Sequence, residues 1–412
     1  RPVMGVPSDY ASEADRQVLS GLRSKGKAWV VGGWVRESIS GCPKTDMDIA
    51  TTLLPDEVKE LFPLSLMYGS DYGTVVVRID GQGENWEVTT LRSEGGYGDG
   101  RRPDNVEFGV DIKKDLSRRD FTINAMAYDS EWNLVDPFGG LSDLQNGTLR
   151  SVGEAGDRLS EDGLRVMRAY RFLASEKVEY MHSELRTAVK DNIGMLSQVS
   201  KERIGYELIR TLESPNASVA LSMMHDDGVI SEILPGLQVN YNPLLCHDYV
   251  TNMAIMSSGD MRSSSELSSL LRESLKMSKD DLREISFLHD SRDAPLPSEI
   301  SEMRVFRAAL PELRQIRFIL YCKGLGRDVS ILEKSLSDLA PLRSGNSPLV
   351  DGNTLSQVTG LEPGPRIGSL KGMLHRIQVE QDLSDKDEVL ALLEEIDWND
   401  SEHTGWPALG WP

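Results

Sequence analysis

The hydrophobic positions of this chain change period partway along it. Over the first 140 residues, short apolar runs suited to strands fall at 29–31, 49–52, 74–79, 87–91 and 123–128. Between them lie helix signals such as Pro55-Asp56-Glu57-Val58-Lys59-Glu60-Leu61-Phe62, with proline at an early helical position and acid in the first turn. From about residue 159 onward, Leu, Met and Ile recur at three- and four-residue spacing through 164–172, 204–212, 219–224 and 282–288. One polar patch, 257–269, predicts a loop or a helix start, and no internal repeat is visible. The pattern predicts an α+β chain: a small α/β domain followed by a long all-helical remainder.

Chemistry enters with Gly32-Gly33-Trp34-Val35-Arg36, directly after the apolar run Ala28-Trp29-Val30-Val31. Two glycines let a helix start tightly against a strand, and the backbone N–H groups of such a turn attract anions. Arg36 can reach the same anion. Ten residues on, strand alternation in Asp46-Met47-Asp48-Ile49 puts Asp46 and Asp48 on one face, with Met47 and Ile49 on the other. Carboxylates about 7 Å apart by strand rise suit Mg²⁺ better than a salt bridge. Taken singly, a Gly-Gly is an ordinary turn and an Asp-x-Asp an ordinary strand edge. In strand–turn–helix–strand order they predict a triphosphate cradle beside a divalent metal, hence nucleotidyl transfer.

Further polar groups cluster in otherwise apolar segments. Glu87, in a strand-like run, supplies a third carboxylate if that strand lies beside Asp46 and Asp48; otherwise it is an edge charge. The glycine-rich segment 93–104, ending near Arg101-Arg102, predicts a mobile loop or a plain hairpin. In Arg118-Arg119-Asp120-Phe121-Thr122-Ile123-Asn124, the arginines suit phosphate oxygens while Asp120 and Asn124 suit ribose hydroxyls. Asp162, Arg165 and Arg168 stand three apart, roughly on one helix face, with Arg171 drifting off it and Leu164, Met167 and Phe172 facing a core. Such spacing suits an ion-paired surface helix, or base recognition. An Asp–Arg pair presents an acceptor beside a donor, which cytosine and adenine match and guanine and uracil do not.

Composition narrows the setting. The 412 residues allow two to four domains. No stretch reaches the roughly 20 apolar residues of a membrane span, and the first residues carry no signal-peptide pattern. Cys42, Cys246 and Cys322 are scattered and odd in number, fitting a reducing cytoplasm. The net charge of −20 argues against a chain-wide nucleic-acid footprint. The acid is uneven, however: residues 380–402 hold ten carboxylates against one lysine, while arginines gather around the proposed chemistry. Cys246-His247-Asp248 and Leu288-His289-Asp290 invite a metal-phosphohydrolase reading, but the further ligands it needs are missing. A non-catalytic RNA-binding module would have no use for Asp46 and Asp48.

Gly32-Gly33-x-Val35-Arg36, Asp46-x-Asp48, Arg118-Arg119-Asp120-Phe121-Thr122-Ile123-Asn124-Ala125 and Glu161-Asp162-x-x-Arg165-x-x-Arg168 stand in order. With Asp136-Pro137-Phe138-Gly139-Gly140, Lys201-Glu202-Arg203-Ile204 and Gly360-Leu361-x-Pro363-Gly364-Pro365, they resemble the bacterial-type tRNA nucleotidyltransferase/poly(A) polymerase family of the polymerase-β-like superfamily. The resemblance implies a head at 1–143, a helical neck carrying the template at 144–225, a helical body at 226–340 and a helical tail at 341–412, in an elongated molecule. It implies two Mg²⁺ held by Asp46 and Asp48, about 4 Å apart. Gly32, Gly33, Arg36 and Arg119 would hold the triphosphate, Asp162 and Arg165 would act as template, and Arg168 and Arg171 would support the same pocket. The implied substrates are CTP, ATP and the acceptor and TΨC arms of tRNA. The run from Arg119 to Asp129 looks more like CCA-adding members than poly(A) polymerases, and the 93–104 loop favours terminal A addition over CC-only addition; an A-only enzyme would look much the same. Glu37 stands where the family commonly has Asp, and Trp34 is bulky for its place, leaving the packing of that helix open.

Overall fold

In the computed structural model, which describes residues 6–67, 70–81, 83–96, 103, 105–240 and 246–412, the run Ala28–Val31 forms β1 near the middle of a mixed sheet. The other strands are β2 (Asp48–Thr51), β3 (Thr74–Val77), β4 (Trp86–Thr90), β5 (Arg92–Gly95), β6 (Asn105–Phe108), β7 (Ala127–Tyr128), β8 (Leu134–Val135), and the parallel pair β9 (Thr148–Leu149) and β10 (Tyr180–Met181). Six of them make one sheet in the order β3–β4–β2–β1–β7–β8, while β5 and β6 pair as a separate antiparallel hairpin. β1 runs antiparallel to β2, with Val31 opposite Asp48; β2 runs parallel to β4, with Ile49 opposite Val88. Val31, Ala50, Leu91, Leu116, Ala125, Ala127 and Val152 form the core behind the site.

One sequence expectation changes here. The run 123–128 is not one strand: Thr122–Asn124 is a 3-10 turn, and only Ala127–Tyr128 pairs. The Asp120 carboxylate accepts from the Phe121 N–H and the Asn124 side-chain amide, and such local bonds compete with a ladder. The start of the glycine-rich segment is strand β5, so its described flanks are a hairpin; residues 97–102 and 104 lie outside the described residues.

The helices of this region are α1 (Glu13–Arg23), α2 (Gly33–Ser40), α3 (Pro55–Leu61), α4 (Ile112–Ser117), α5 (Gly140–Gln145), α6 (Ala155–Glu161), α7 (Leu164–Leu173), α8 (Ser183–Asp191), α9 (Lys201–Leu212) and α10 (Ala217–Asp226). The helical periods at 164–172, 204–212 and 219–224 are thus realised as α7, α9 and α10. Trp34 packs inward from α2 against Tyr128 and Trp132, and Glu37 accepts from the Lys44 and Thr45 N–H groups. Both departures from the family pattern therefore serve to fix α2 and the turn before β2.

Contacts divide the chain into a unit of residues 1–236 with 273–276, and a second of residues 237–272 and 277–412. The second unit is helical and includes Tyr249–Ser257, Lys279–Asp290 and Pro365–Gln381, with an apolar cluster around Leu355, Leu370, Leu374 and Val389. Among the described residues, no helix is long and apolar enough to cross a membrane.

Candidate active site

The site begins at the turn from β1 into α2. Gly32 caps α2 with φ of +74° and ψ of −144°, a conformation that L-residues rarely adopt. A Cβ there would stand 3.0 Å from an Asp48 carboxylate oxygen, so the missing side chain lets Asp48 close against the turn. Asp48 opens β2 half-buried; Asp46 is exposed two residues earlier; Met47 and Ile49 are buried between and beyond them, as alternation requires. Burial, then the nearby charges of Glu87 and Asp46, push the Asp48 carboxyl up to about 6, with Arg119 pulling the other way.

Glu87 lies on β4, beside β2, with its side chain exposed. Among the described residues, no three His, Cys, Asp or Glu side chains stand close enough to hold a metal ion. Glu87 is near enough to Asp48 for its charge to raise that carboxyl. What remains is Asp48, half-buried with a negative charge that burial makes costly, and the exposed Asp46 two residues before it. Oxygen donors in that condition fit a hard divalent cation.

Facing Asp48 is a cavity of about 690 Å³ lined by nine arginines, no lysine and five carboxylates. Gly32, Gly33, Arg36, Arg119, Asp120, Asn124, Asp162, Arg165, Arg168 and Arg171 all line it; Asp46 and Glu87 do not. The head arginines are held at a cost. Burial lowers Arg36 and Arg119 from the usual guanidinium range, and Arg118 adds to the effect at Arg119. One Asp115 oxygen stands 3.6 Å from Arg119 yet has no hydrogen bond, and neither does the Arg119 Nε.

Asp120 and Asn124 join opposite walls. Arg36 donates to the Asn124 carbonyl oxygen, the Asn124 amide donates to Asp120 at 3.1 Å, and Arg168 Nε donates to the other Asp120 oxygen at 2.6 Å. Burial pushes the Asp120 carboxyl up, but the Arg168 charge and these hydrogen bonds more than offset it and hold it at about 2. Both residues line the cavity and brace it. Their polar atoms are engaged in spacing Arg36 from Arg168.

The presumed template helix is rearranged more sharply. Helix α6 ends at Glu161, Asp162 is extended, and α7 begins only after Gly163, so Asp162 shares no helix face with Arg165. Asp162 accepts from the Leu164 N–H at 2.9 Å and pairs with Arg203 at 3.4 Å. Arg165 instead donates to Glu161 at 2.7 Å and to the backbone oxygens of Arg158 and Arg118. Asp162 and Arg165 thus both line the cavity, but from a turn and a helix and with separate ion partners, Arg203 and Glu161. Phe172 is buried against Phe121, as expected, and also reaches the cavity wall, with the guanidinium carbons of Arg36, Arg168 and Arg171 at 5.1, 5.5 and 4.9 Å from its ring centre.

Sequence reasoning assigned no role to Glu207 and Arg210, and quoted Arg203 only within a motif. Buried Glu207 pairs with Arg171 at 3.0 Å and Arg168 at 3.8 Å. Their signal was present: 203, 207 and 210 fall on one stripe of α9 at spacings of four and three. The two His-Asp pairs have structural work elsewhere. Asp248 caps its helix and pairs with Arg317, while His289 is buried against the Arg262 backbone oxygen.

Residues 28–150 match the poly A polymerase head domain, and residues 181–240 match the probable RNA and SrmB-binding site of polymerase A. The CCA-adding enzyme of Ligilactobacillus salivarius is 31% identical over 406 residues, covering 94% of this chain and 96% of that protein. That of Geobacillus thermodenitrificans is 43% identical over 211 residues, about half of each chain at 51%. The crystal structure of the Bacillus stearothermophilus CCA-adding enzyme in complex with CTP superposes with a TM-score of 0.79 at 27% identity, over 95% of this chain and 98% of that one. With its head fold, arginine-lined cavity and full-length kinship, this chain belongs to the CCA-adding enzymes, a family of tRNA nucleotidyltransferases.

Proposed function

We propose that the protein adds CCA to the 3′ end of tRNA from CTP and ATP, without a nucleic-acid template and with release of diphosphate. The observation that carries this reading is the apposition of Asp48, across the Gly32 turn, to a cavity walled by Arg36, Arg119 and Arg168. Two Mg²⁺ held by Asp46 and Asp48 would supply the charge that activates the RNA 3′-hydroxyl and offsets that of the departing diphosphate. Gly32 and Gly33 offer the α2 N-terminus to the triphosphate, while Arg36 and Arg119 clamp it. Because phosphoryl chemistry needs little from the protein beyond position and charge, these groups account for most of the catalysis.

Base choice falls to Asp162, whose carboxylate accepts the amino group that cytosine and adenine share and that uracil lacks. Arg203 pairs with that carboxylate, and Arg165 secures the turn that carries it through Glu161 and Arg118. Arg168 and Arg171, gripped by Asp120 and Glu207, set the width of the pocket. A neck of 144–225 would carry these residues, with a body of 226–340 and a tail of 341–412 holding the acceptor and TΨC arms through phosphates and shape. The three free cysteines agree with a reducing, cytoplasmic setting.

The test uses tRNA transcripts ending before CCA, after C, or after CC, with Mg²⁺ and with CTP and ATP supplied separately and together. Stepwise CCA products on a sequencing gel support the reading. Addition of A alone, or a run of A, assigns the chain to A-adding or poly(A) members instead. Asp162→Ala should relax the preference for CTP and ATP over UTP and GTP, and unchanged preference would remove Asp162 from base choice.

A further inference from the structure

Helix α9 presents an aromatic ring to solvent at the rim of the nucleotide cavity. Tyr206 is 55% exposed, although an aromatic ring in water forgoes the burial that usually stabilises it. Its orientation is fixed: Arg210, one turn on, donates to its hydroxyl at 3.1 Å and sets its guanidinium carbon 5.7 Å from the ring centre. Arg203 and Arg210 on the same helix line the cavity, and Tyr206 lies between them in sequence, about 60° around the helix from Arg203. Arg210 is also close enough to Arg171 to disfavour its charge, so this rim is electropositive without any added ligand. On the opposite side of α9, Ile204, Leu208 and Leu212 are buried, which anchors the helix and leaves Tyr206 free to face a partner.

A rigid, exposed ring flanked by guanidinium groups matches the surfaces that bind single-stranded nucleic acid, where bases stack on aromatic faces and arginines meet the phosphates. We infer that Tyr206 and Arg210 form a stacking platform for the unpaired 3′-terminal nucleotides of the RNA acceptor. This rests on the tRNA reading above and adds the place where the growing end is held beside the incoming nucleotide. Tyr206 stacks on a terminal base; Arg210 fixes the ring and contacts the adjoining phosphate. Stacking tolerates any base, so one platform serves an acceptor that ends in its discriminator base, in C or in CC.

The test compares wild type, Tyr206→Ala and Tyr206→Phe in the full chain. With CC-ended tRNA and ATP, Tyr206→Ala should raise KM for tRNA about 5- to 160-fold, the range expected for losing one stacked base, and leave KM for ATP within about twofold. Tyr206→Phe keeps the ring and should stay near wild type. Unchanged tRNA KM in Tyr206→Ala overturns the platform, and a rise confined to ATP KM moves Tyr206 to the nucleotide instead. A binding arm needs no turnover: fluorescence anisotropy with an acceptor minihelix ending in unpaired CC and with the same minihelix made blunt. Wild type should prefer the CC end and Tyr206→Ala should lose that preference; equal preference in both proteins refutes the inference. Wild type that binds the CC end selectively but adds no nucleotide would sink the proposed function and leave the platform standing.

Discussion

Asp48→Asn should make the metal-free protein more stable while destroying its activity. The Asp48 carboxyl stands at about 6 in the folded chain against an ordinary 3.8, a rise of about two units. At about 1.4 kcal/mol per unit, ionised Asp48 costs the metal-free fold up to about 3 kcal/mol. Partial exposure and solvent screening reduce this to about 1.5 kcal/mol. The sign follows from proton counting. Between about pH 4 and 6 the folded state binds more protons at this site than the unfolded state, so stability falls as pH rises through that window and stays reduced above it. Asparagine has no charge to bury and escapes the penalty. Thermal melts in chelator at about pH 7.5 should place Asp48→Asn about 3–6 °C above wild type, for a unit of this size. At about pH 4 the gap should close, because both side chains are then neutral. Added Mg²⁺ should raise the wild-type melting temperature through its preference for the folded state, and should raise that of the variant far less. A variant no more stable than wild type at neutral pH, or a gap that persists in acid, would refute the claim that buried charge is stored at Asp48 for a cation.

Three other perturbations test the cavity's framework. Asp120→Asn breaks the buried bond to Arg168 and should cost about 3–5 kcal/mol in urea unfolding, since Arg168 loses its 2.6 Å partner. The carboxyl is held at about 2, so its contribution in wild type is present above about pH 4 and is lost only as pH falls through 2. Gly32→Ala forces a side chain into the +74° conformation and against Asp48; it should lower stability by about 1–3 kcal/mol and activity at least tenfold, read by melting and by nucleotide incorporation. Glu207→Gln leaves Arg168 and Arg171 without their shared carboxylate and should raise KM for CTP and ATP about tenfold, with a smaller effect on KM for tRNA.

How much of this was legible in the sequence depends on whether short-range forces governed each element. β1 to β4 and α3, α7 and α9 follow their hydrophobic periods to within a few residues, because a buried face dictates them. The Gly32 turn and the Asp46/Asp48 alternation were readable for the same reason, since the chemistry there is carried by neighbours in the chain. Three features were not readable. Asn124 and Asp120 turned a strand-like run into a 3-10 turn through side-chain bonds that no periodicity records. Gly163 interrupted what helical spacing presented as one face, and Asp162 then turned to Arg203, 41 residues away. Phe172 reached the cavity because three arginines, one of them from α2, surround its ring. Partners distant in sequence are set by the packing of α7 against α9, and helical spacing within either segment says nothing of it.

A chain with a net charge of −20 can serve RNA and nucleotides because charge is recognised locally. The cavity lining carries an excess of four positive charges, all on arginine. That choice has a physical reason. Burial works against the charged forms of Arg36, Arg92, Arg119 and Arg171, and a lysine under the same strain can release its proton, whereas a guanidinium stays charged. The cavity lining therefore holds positive charge at a cost that a bound triphosphate relieves. Asp48 holds negative charge at a cost that a divalent cation relieves. Opposite strains set on either side of the Gly32 turn favour the joint arrival of metal and nucleotide over the arrival of either alone. Nucleotide affinity should accordingly rise with Mg²⁺ in wild type, and that coupling should vanish in Asp48→Asn even where residual nucleotide binding to the arginines survives.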